Sequence, residues 1–76
     1  MTHAEFIITK TMEQVERNYR IAESMVESVA TQRTLFDQAF GMVQLAVVLL
    51  PAEEFGAIND LWDEYKPKFE HLVYGI

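Results

Sequence analysis

Apolar side chains recur in the first part of the chain at the spacing of a helix that buries one face. They lie alternately four and three residues apart, an a/d heptad pattern formed by Ile8, Met12, Val15, Tyr19, Ala22, Val26 and Val29. On the other face, Glu16 and Arg20 are spaced for an ion pair one helical turn apart. Glu13 and Arg17 have the same spacing. The pattern predicts a first helix over about residues 3–31, with coiled-coil-like packing.

The apolar register continues past residue 30, so the pattern itself does not mark the end of the first helix. One interpretation is a single helix that runs on to Leu50. The other is a turn near residues 30–34, after which Thr34 caps a second helix over about residues 34–50. An arginine at a core position and weak helix formers favour the turn, whereas the absence of glycine and proline there favours one helix. We predict the turn.

Two prolines mark the last helix. Pro51 ends the preceding helix because it disfavours helical geometry at the residue before it, and its fixed φ suits the start of the next one. A third helix is therefore expected over about residues 52–73. Its apolar stripe consists of Phe55, Ile58, Trp62, Tyr65, Phe69 and Leu72. Because this stripe keeps its phase across Pro67, we expect a kink or a restart there, with both parts still on the core.

Residues 42–50 are the most apolar segment, and Gln44 is their only polar side chain. A membrane-spanning helix needs about 20 predominantly apolar residues, and acidic residues flank this segment too closely, so we expect no membrane association. On a helical wheel only Asp37, Gly41 and Gln44 form a thin polar strip. A helix apolar on nearly every side is usually surrounded by others. The residues predicted to meet a second copy or another protein are Leu35, Phe40, Met42, Val43, Leu45, Ala46, Val47 and Leu49.

The size of the chain also favours association. A chain of 76 residues buries only about 60% of its unfolded surface, yet half of these residues are apolar. Apolar faces shared between chains would resolve this mismatch. The expected architecture is all-α: a single domain over residues 1–76, formed by a small three-helix bundle with coiled-coil-like helices and completed by homodimerisation.

Composition excludes several classes of function. The chain has no cysteine and two histidines, which leaves no basis for disulfides, thiolate zinc sites or histidine-rich metal sites. A net charge of −6 argues against direct binding of nucleic acid. The N-terminal segment carries an acid at Glu5 and lacks the basic region of a signal peptide, so a cytoplasmic location is the default expectation.

The function expected from these features is a non-enzymatic protein–protein interaction module. No serine lies near a candidate base and a glycine elbow, so nucleophilic catalysis has no support, and we expect neither catalytic residues nor a cofactor. Small regulatory, adaptor and inhibitor proteins of this character are common in bacteria and their phages. The expected partner is a second copy of the chain, with another protein as a further possibility.

Acidic residues suggest two alternatives. The first is that the protein mimics nucleic acid and binds a basic protein through an acidic face. The other interpretation of this face is that it only keeps the protein soluble. Its acids are Glu53, Glu54, Asp60, Asp63 and Glu64.

The second alternative is a Mg²⁺-dependent nucleotide hydrolase. Glu13 and Glu16, like Asp60 and Asp63, are acids three residues apart on a helix. Two such pairs are the arrangement by which all-α pyrophosphohydrolases bind Mg²⁺. However, Glu13 and Glu16 lie on the solvated side of the heptad pattern, and no basic cluster faces Asp60 and Asp63 to hold phosphates. We therefore rank this alternative last.

Overall fold

The computed structural model describes residues 2–76, and nearly all of them lie in three helices. These are α1 (His3–Ser24), α2 (Val29–Leu49) and α3 (Phe55–Tyr74), with a 3₁₀ turn at Ala52–Glu54 ahead of α3. None of the described residues lies in a strand. The predicted all-α three-helix architecture is confirmed, whereas regular coiled-coil packing and dimerisation are not shown by it.

The break between α1 and α2 comes earlier than predicted, at residues 25–28. The Ser28 hydroxyl accepts a hydrogen bond from the Thr31 amide at 3.3 Å and caps α2. The predicted cap, Thr34, was wrong, because it lies inside α2 and its hydroxyl donates to the Ala30 carbonyl at 3.0 Å. The predicted boundaries at residues 31 and 34 are corrected accordingly.

A buried glutamine links the two helices across the break. The last carbonyls of a helix lack the regular partners of its interior. The Ala22 carbonyl accepts hydrogen bonds from the Met25 amide at 3.0 Å and from the Gln32 side-chain amide at 2.9 Å. Gln32 is only 3% exposed. The start of α2 therefore satisfies the end of α1, a long-range contact that local helix propensity does not report.

The two prolines act differently. Leu50, just before Pro51, has the extended backbone that ends α2. Pro67, by contrast, lies inside α3, which continues to Tyr74, so the predicted restart does not occur. Gly75 then ends α3 in the left-handed conformation, with φ of 74°, which glycine adopts without strain.

The core lies between all three helices and contains an aromatic cluster. Phe69 is completely buried. Its ring stacks on Phe36 with centroids 5.2 Å apart and meets the edge of Tyr19 at 5.3 Å. Trp62 lies 5.9 Å from Phe36 and belongs to the same cluster. The buried apolar residues are Val15, Ala22, Ala39, Val43, Ala46, Leu50, Ile58, Leu61 and Phe69.

The face of α1 that is buried differs in part from the heptad prediction. Thr11 and Asn18 are buried beside Val15 and Ala22, whereas Met12 is 46% exposed and Val26, at the break, is 74% exposed. Buried polar groups are tolerated where they are hydrogen-bonded. Thr11 donates to the Ile7 carbonyl at 2.7 Å, and Asn18 donates to the Leu35 carbonyl at 3.2 Å.

The protomer hides an ordinary amount of surface for its size. Its accessible area is 4921 Å², close to the roughly 4,800 Å² expected for a folded monomer of this mass. The high apolar content of the chain is therefore not reflected in an enlarged total surface. It is reflected in the large apolar side chains that remain exposed.

Candidate interaction surface

Helix α2 is covered on only one side. Ala39, Val43 and Ala46 face the core. On the opposite side, Leu45 is 58% exposed, Val48 79% and Leu49 53%. These three residues, together with the exposed Gln38 and Gly41, form the surface that we call the α2 outer face.

The α2 outer face lies in a segment without charges. Residues 38–52 contain no Asp, Glu, Lys or Arg, although the chain as a whole carries a net charge of −6. A protein of this size usually surrounds exposed leucines and valines with charged side chains, since contiguous apolar surface promotes association. The α2 outer face is thus the part of the protomer best suited to contact another apolar surface.

A groove between α1 and α2 adjoins this face. Its apolar end has a volume of about 160 Å³ and lies between Ile7 on α1 and Met42 and Leu49 on α2. Its other end, of about 420 Å³, is more polar and includes Asn18 and Gln38. The Asn18 amide is 3.5 Å from the Gln38 side-chain oxygen, so a hydrogen bond links the helices at this end.

The predicted interface residues occupy three different environments. Leu45, Leu49 and Phe40 are exposed. Leu35, Met42 and Val47 are half-buried. Val43 and Ala46 are buried within the protomer, so these two belong to its core and are not available to a partner.

Two further residues refine the prediction. Val48 was missing from the predicted surface although it is the most exposed of its apolar residues, at 79%. Its position three residues after Leu45, one turn along the same helical face, was the signal that could have found it. Phe40 points elsewhere, because its ring lies 5.6 Å from that of Trp62 on the α3 side.

Packing within the folded chain does not require a glycine at position 41, and the same is true of Gly56. A methyl group added to the Cα of either residue would meet no atom within 4 Å. Glycine inside a helix nevertheless costs about 1 kcal/mol relative to alanine. The predicted polar strip of Asp37, Gly41 and Gln44 is exposed, but it adjoins the exposed Leu45 and so does not form the whole solvent-facing side.

The predicted acidic face lies on the outside of the molecule. Glu53, Asp60, Asp63 and Glu64 are exposed, and Glu54 is half-buried. Glu53 and Glu54 precede the first turn of α3, where a helix dipole stabilises carboxylates. This gives them a structural role that needs no partner.

Glu13 and Glu16, two of the four carboxylates considered for Mg²⁺ binding, are engaged in surface ion pairs. The Glu16 carboxylate accepts a hydrogen bond from the Arg20 guanidinium at 2.7 Å, as predicted. Glu13 pairs with Lys10 at 3.5 Å and not with Arg17. Across residues 2–76, no three His, Asp or Glu side chains are close enough to hold one metal ion. The structure therefore does not bring Glu13 and Glu16 together with Asp60 and Asp63 as a site.

Two tyrosines form the polar edge of the aromatic cluster on the α1–α3 side. Burial raises the pKa of both Tyr19 and Tyr65, and the neighbouring Glu23 raises that of Tyr19 further. The Lys68 ammonium lies 4.8 Å from the centre of the Tyr65 ring. Both phenols are therefore neutral at physiological pH, so this edge carries packing and hydrogen bonds and no negative charge of its own.

No protein-family model matches the sequence, and no similar curated protein or solved structure was found. In the part of the chain that the structure describes, no helix combines the length and the apolar character that crossing a membrane requires.

Proposed function

We propose that this chain is a non-enzymatic, self-associating protein–protein interaction module: a small regulatory, adaptor or inhibitor protein of bacterial or phage type that acts in the cytoplasm as a homodimer. The observation that carries this proposal is the exposure of Leu45 and Val48, at 58% and 79%, on the α2 outer face. That face lies within fifteen consecutive residues that lack any charge. Exposure of such a surface to water is unfavourable, and its burial against another apolar surface lowers the free energy.

The magnitude indicates weak affinity when only the three most exposed apolar side chains are counted. Fully burying a leucine or valine side chain is worth about 1.5–3 kcal/mol, so covering the exposed parts of Leu45, Val48 and Leu49 gives about 1–2 kcal/mol each. Two symmetric copies would together gain roughly 8 kcal/mol, which corresponds to a Kd of about 1 μM before any cost is subtracted. Association costs at least about 4 kcal/mol. The groove side chains must therefore contribute for the dimer to persist at micromolar concentration.

Sedimentation velocity from about 10 μM up to about 1 mM, the Kd that remains once the cost of association is subtracted, tests the proposal. The expected result is a concentration-dependent shift from a monomer of 8.8 kDa towards a species of twice that mass. A single monomeric species at the highest concentration would contradict self-association.

A further inference from the structure

We propose that residues 25–28 are a hinge through which two copies of the chain exchange α1. In the exchanged dimer, α1 and α2 of each copy join into one continuous helix, and α1 of one copy packs on α2 and α3 of the other. This mode of association does not use the α2 outer face, so it goes beyond the proposed function. The partner is a second copy, because the packing of the protomer already shows that α1 fits the site it would enter.

One heptad register runs through α1, the hinge and α2 without a shift. It consists of two series of positions, each with a spacing of seven residues. The first series is Val15, Ala22, Val29, Phe36, Val43 and Leu50, and the second is Thr11, Asn18, Met25, Gln32, Ala39 and Ala46. Every buried residue of α1 and of α2 belongs to one of these series. If the hinge were helical, the buried faces of both helices would therefore form a single stripe on one side of one helix.

The hinge is where burial along this register fails. Val29 is 55% exposed, although Ala22 and Phe36, seven residues before and after it, belong to the core. A helical hairpin does not need its apolar register to continue through the turn. Residues 25–28 include no glycine and no proline, and none of them has a positive φ. They can therefore adopt helical geometry without steric strain.

The contacts between α1 and α2 are symmetric about the hinge. Asn18, whose side chain donates to the Leu35 carbonyl, lies seven residues before the hinge, and Leu35 lies seven residues after it. Thr11 and Met42 line the same groove and lie fourteen residues before and after the hinge. Two continuous helices that cross antiparallel at their hinges would reproduce each of these contacts between copies, related by a two-fold axis.

The hydrogen bonds of the hinge place the closed and open states close in free energy. Among residues 2–76, no backbone carbonyl accepts from the amides of Val26, Glu27 or Val29. In a continuous helix each of these amides donates to the carbonyl four residues earlier. Opening the hinge gives up the Ser28 cap of α2 in return. It also lets the exposed Val29 pack against Met25 of the second copy where the two helices cross.

The contacts of α1 outside the hinge are the same in both states, so the hinge and the protein concentration determine the extent of exchange. A short connector holds α1 near its own site at an effective concentration on the order of millimolar. If the hinge favours neither state, the Kd for exchange is also on the order of millimolar. In the wild type the exchanged dimer should therefore be a minor species below about 100 μM.

Two neighbouring hinge residues should shift this equilibrium in opposite directions. Ser28→Ala removes the cap that stabilises the closed state, and loss of an N-cap weakens the capped state about fivefold. Because each dimer opens two hinges, the Kd for exchange should fall about 25-fold. Glu27→Gly changes an exposed turn residue. Glycine disfavours the continuous helix, so this matched variant should raise the Kd about tenfold.

The distance between spin labels at Gln14→Cys and Gly41→Cys distinguishes the two states. Both positions line the groove between α1 and α2. Neighbouring helix axes are about 8–10 Å apart, so labels in the closed protomer lie within about 20 Å of each other. In the continuous helix the same positions are 27 residues apart, which is about 40 Å. Dilution of labelled chains into an excess of the same unlabelled variant restricts the measurement to distances within one chain.

The expected result for Ser28→Ala at about 200 μM is a population near 40 Å that grows with protein concentration and persists when Val48→Asp is added. Glu27→Gly should show only the short distance. If Ser28→Ala keeps its helical circular dichroism but shows only the short distance up to about 1 mM, exchange is overturned. A long distance that does not depend on concentration would overturn it as well. A dimer with only the short distance would overturn exchange and leave self-association through the α2 outer face in place.

Discussion

Two neighbouring valines on α2 allow folding and association to be perturbed separately. Val48 is 79% exposed, whereas Val47 is half-buried and packs against the core. We predict that the same substitution, valine to aspartate, dissociates the dimer at position 48 and destabilises the protomer at position 47. The substituted side chains have the same chemistry and lie on the same helix, so each variant is the control for the other.

The magnitudes follow from the exposure of each side chain. In the monomer, Val48→Asp changes a solvated position and should alter the free energy of unfolding by less than about 0.5 kcal/mol. In the dimer it removes about 1–2 kcal/mol of apolar burial per protomer and requires a carboxylate to lose water, which costs more. A total loss of at least about 3 kcal/mol raises the Kd more than a hundredfold. Val47→Asp places a carboxylate against apolar neighbours and should reduce protomer stability by about 1–3 kcal/mol.

Sedimentation velocity reports the association of each variant, and urea unfolding followed by circular dichroism at low concentration reports its stability. If Val48→Asp unfolds as readily as Val47→Asp, Val48 is not a surface residue of the folded monomer. If Val48→Asp dimerises normally, the α2 outer face is not the interface.

Two further predictions concern the protomer. Gln32→Ala removes one of two donors to the Ala22 carbonyl, which keeps its bond from the Met25 amide. It should lower the free energy of unfolding in urea titrations by about 0.5–1.5 kcal/mol, whereas the exposed Gln44→Ala should change it by under about 0.5 kcal/mol; equal effects would contradict the role of Gln32. Burial raises the pKa of Tyr65 above its ordinary value of 10.0. The contribution of the neutral phenol to the stability of the fold is therefore complete below pH 10 and is lost as the pH rises further. Between about pH 9 and 11, the free energy of unfolding should therefore fall less in Tyr65→Phe than in the wild type. An equal fall in both proteins would contradict the raised pKa of Tyr65.

The sequence was sufficient to predict the three helices but not to predict which residues of each helix are buried. Helical periodicity and Pro51 located three helices, and the acids ahead of α3 marked its start. The heptad pattern failed at Thr11 and Asn18 because periodicity counts a residue as buried only when it is apolar. Their burial depends on hydrogen bonds to the Ile7 and Leu35 carbonyls.

Contacts between helices, which periodicity does not report, also explain why the break was predicted too late and why the predicted interface includes buried residues. Gln32 donates to a carbonyl ten residues earlier, near the end of α1, and local helix propensity does not include that contact. On α2, apolar character alone did not separate Val43, which the protomer buries, from Val48, which it exposes. When a helix is apolar on nearly every side, its sequence does not indicate which side faces the core. Only the positions of α1 and α3 decide which side is left for a partner.

Folding and association are expected to be separable in this protein. The protomer hides the area of an ordinary monomer, and in residues 2–76 no buried side-chain nitrogen or oxygen lacks a hydrogen-bond partner. An obligate dimer would instead leave part of its core open. At about 1 μM, near or below the dimer Kd estimated from the exposed side chains, the wild type should therefore remain helical and unfold cooperatively. At a protein concentration a hundred times the Kd, dimerisation should add about 1.6 kcal/mol per protomer. Loss of helical circular dichroism on dilution, before any denaturant is added, would show that the bundle depends on its second copy to fold.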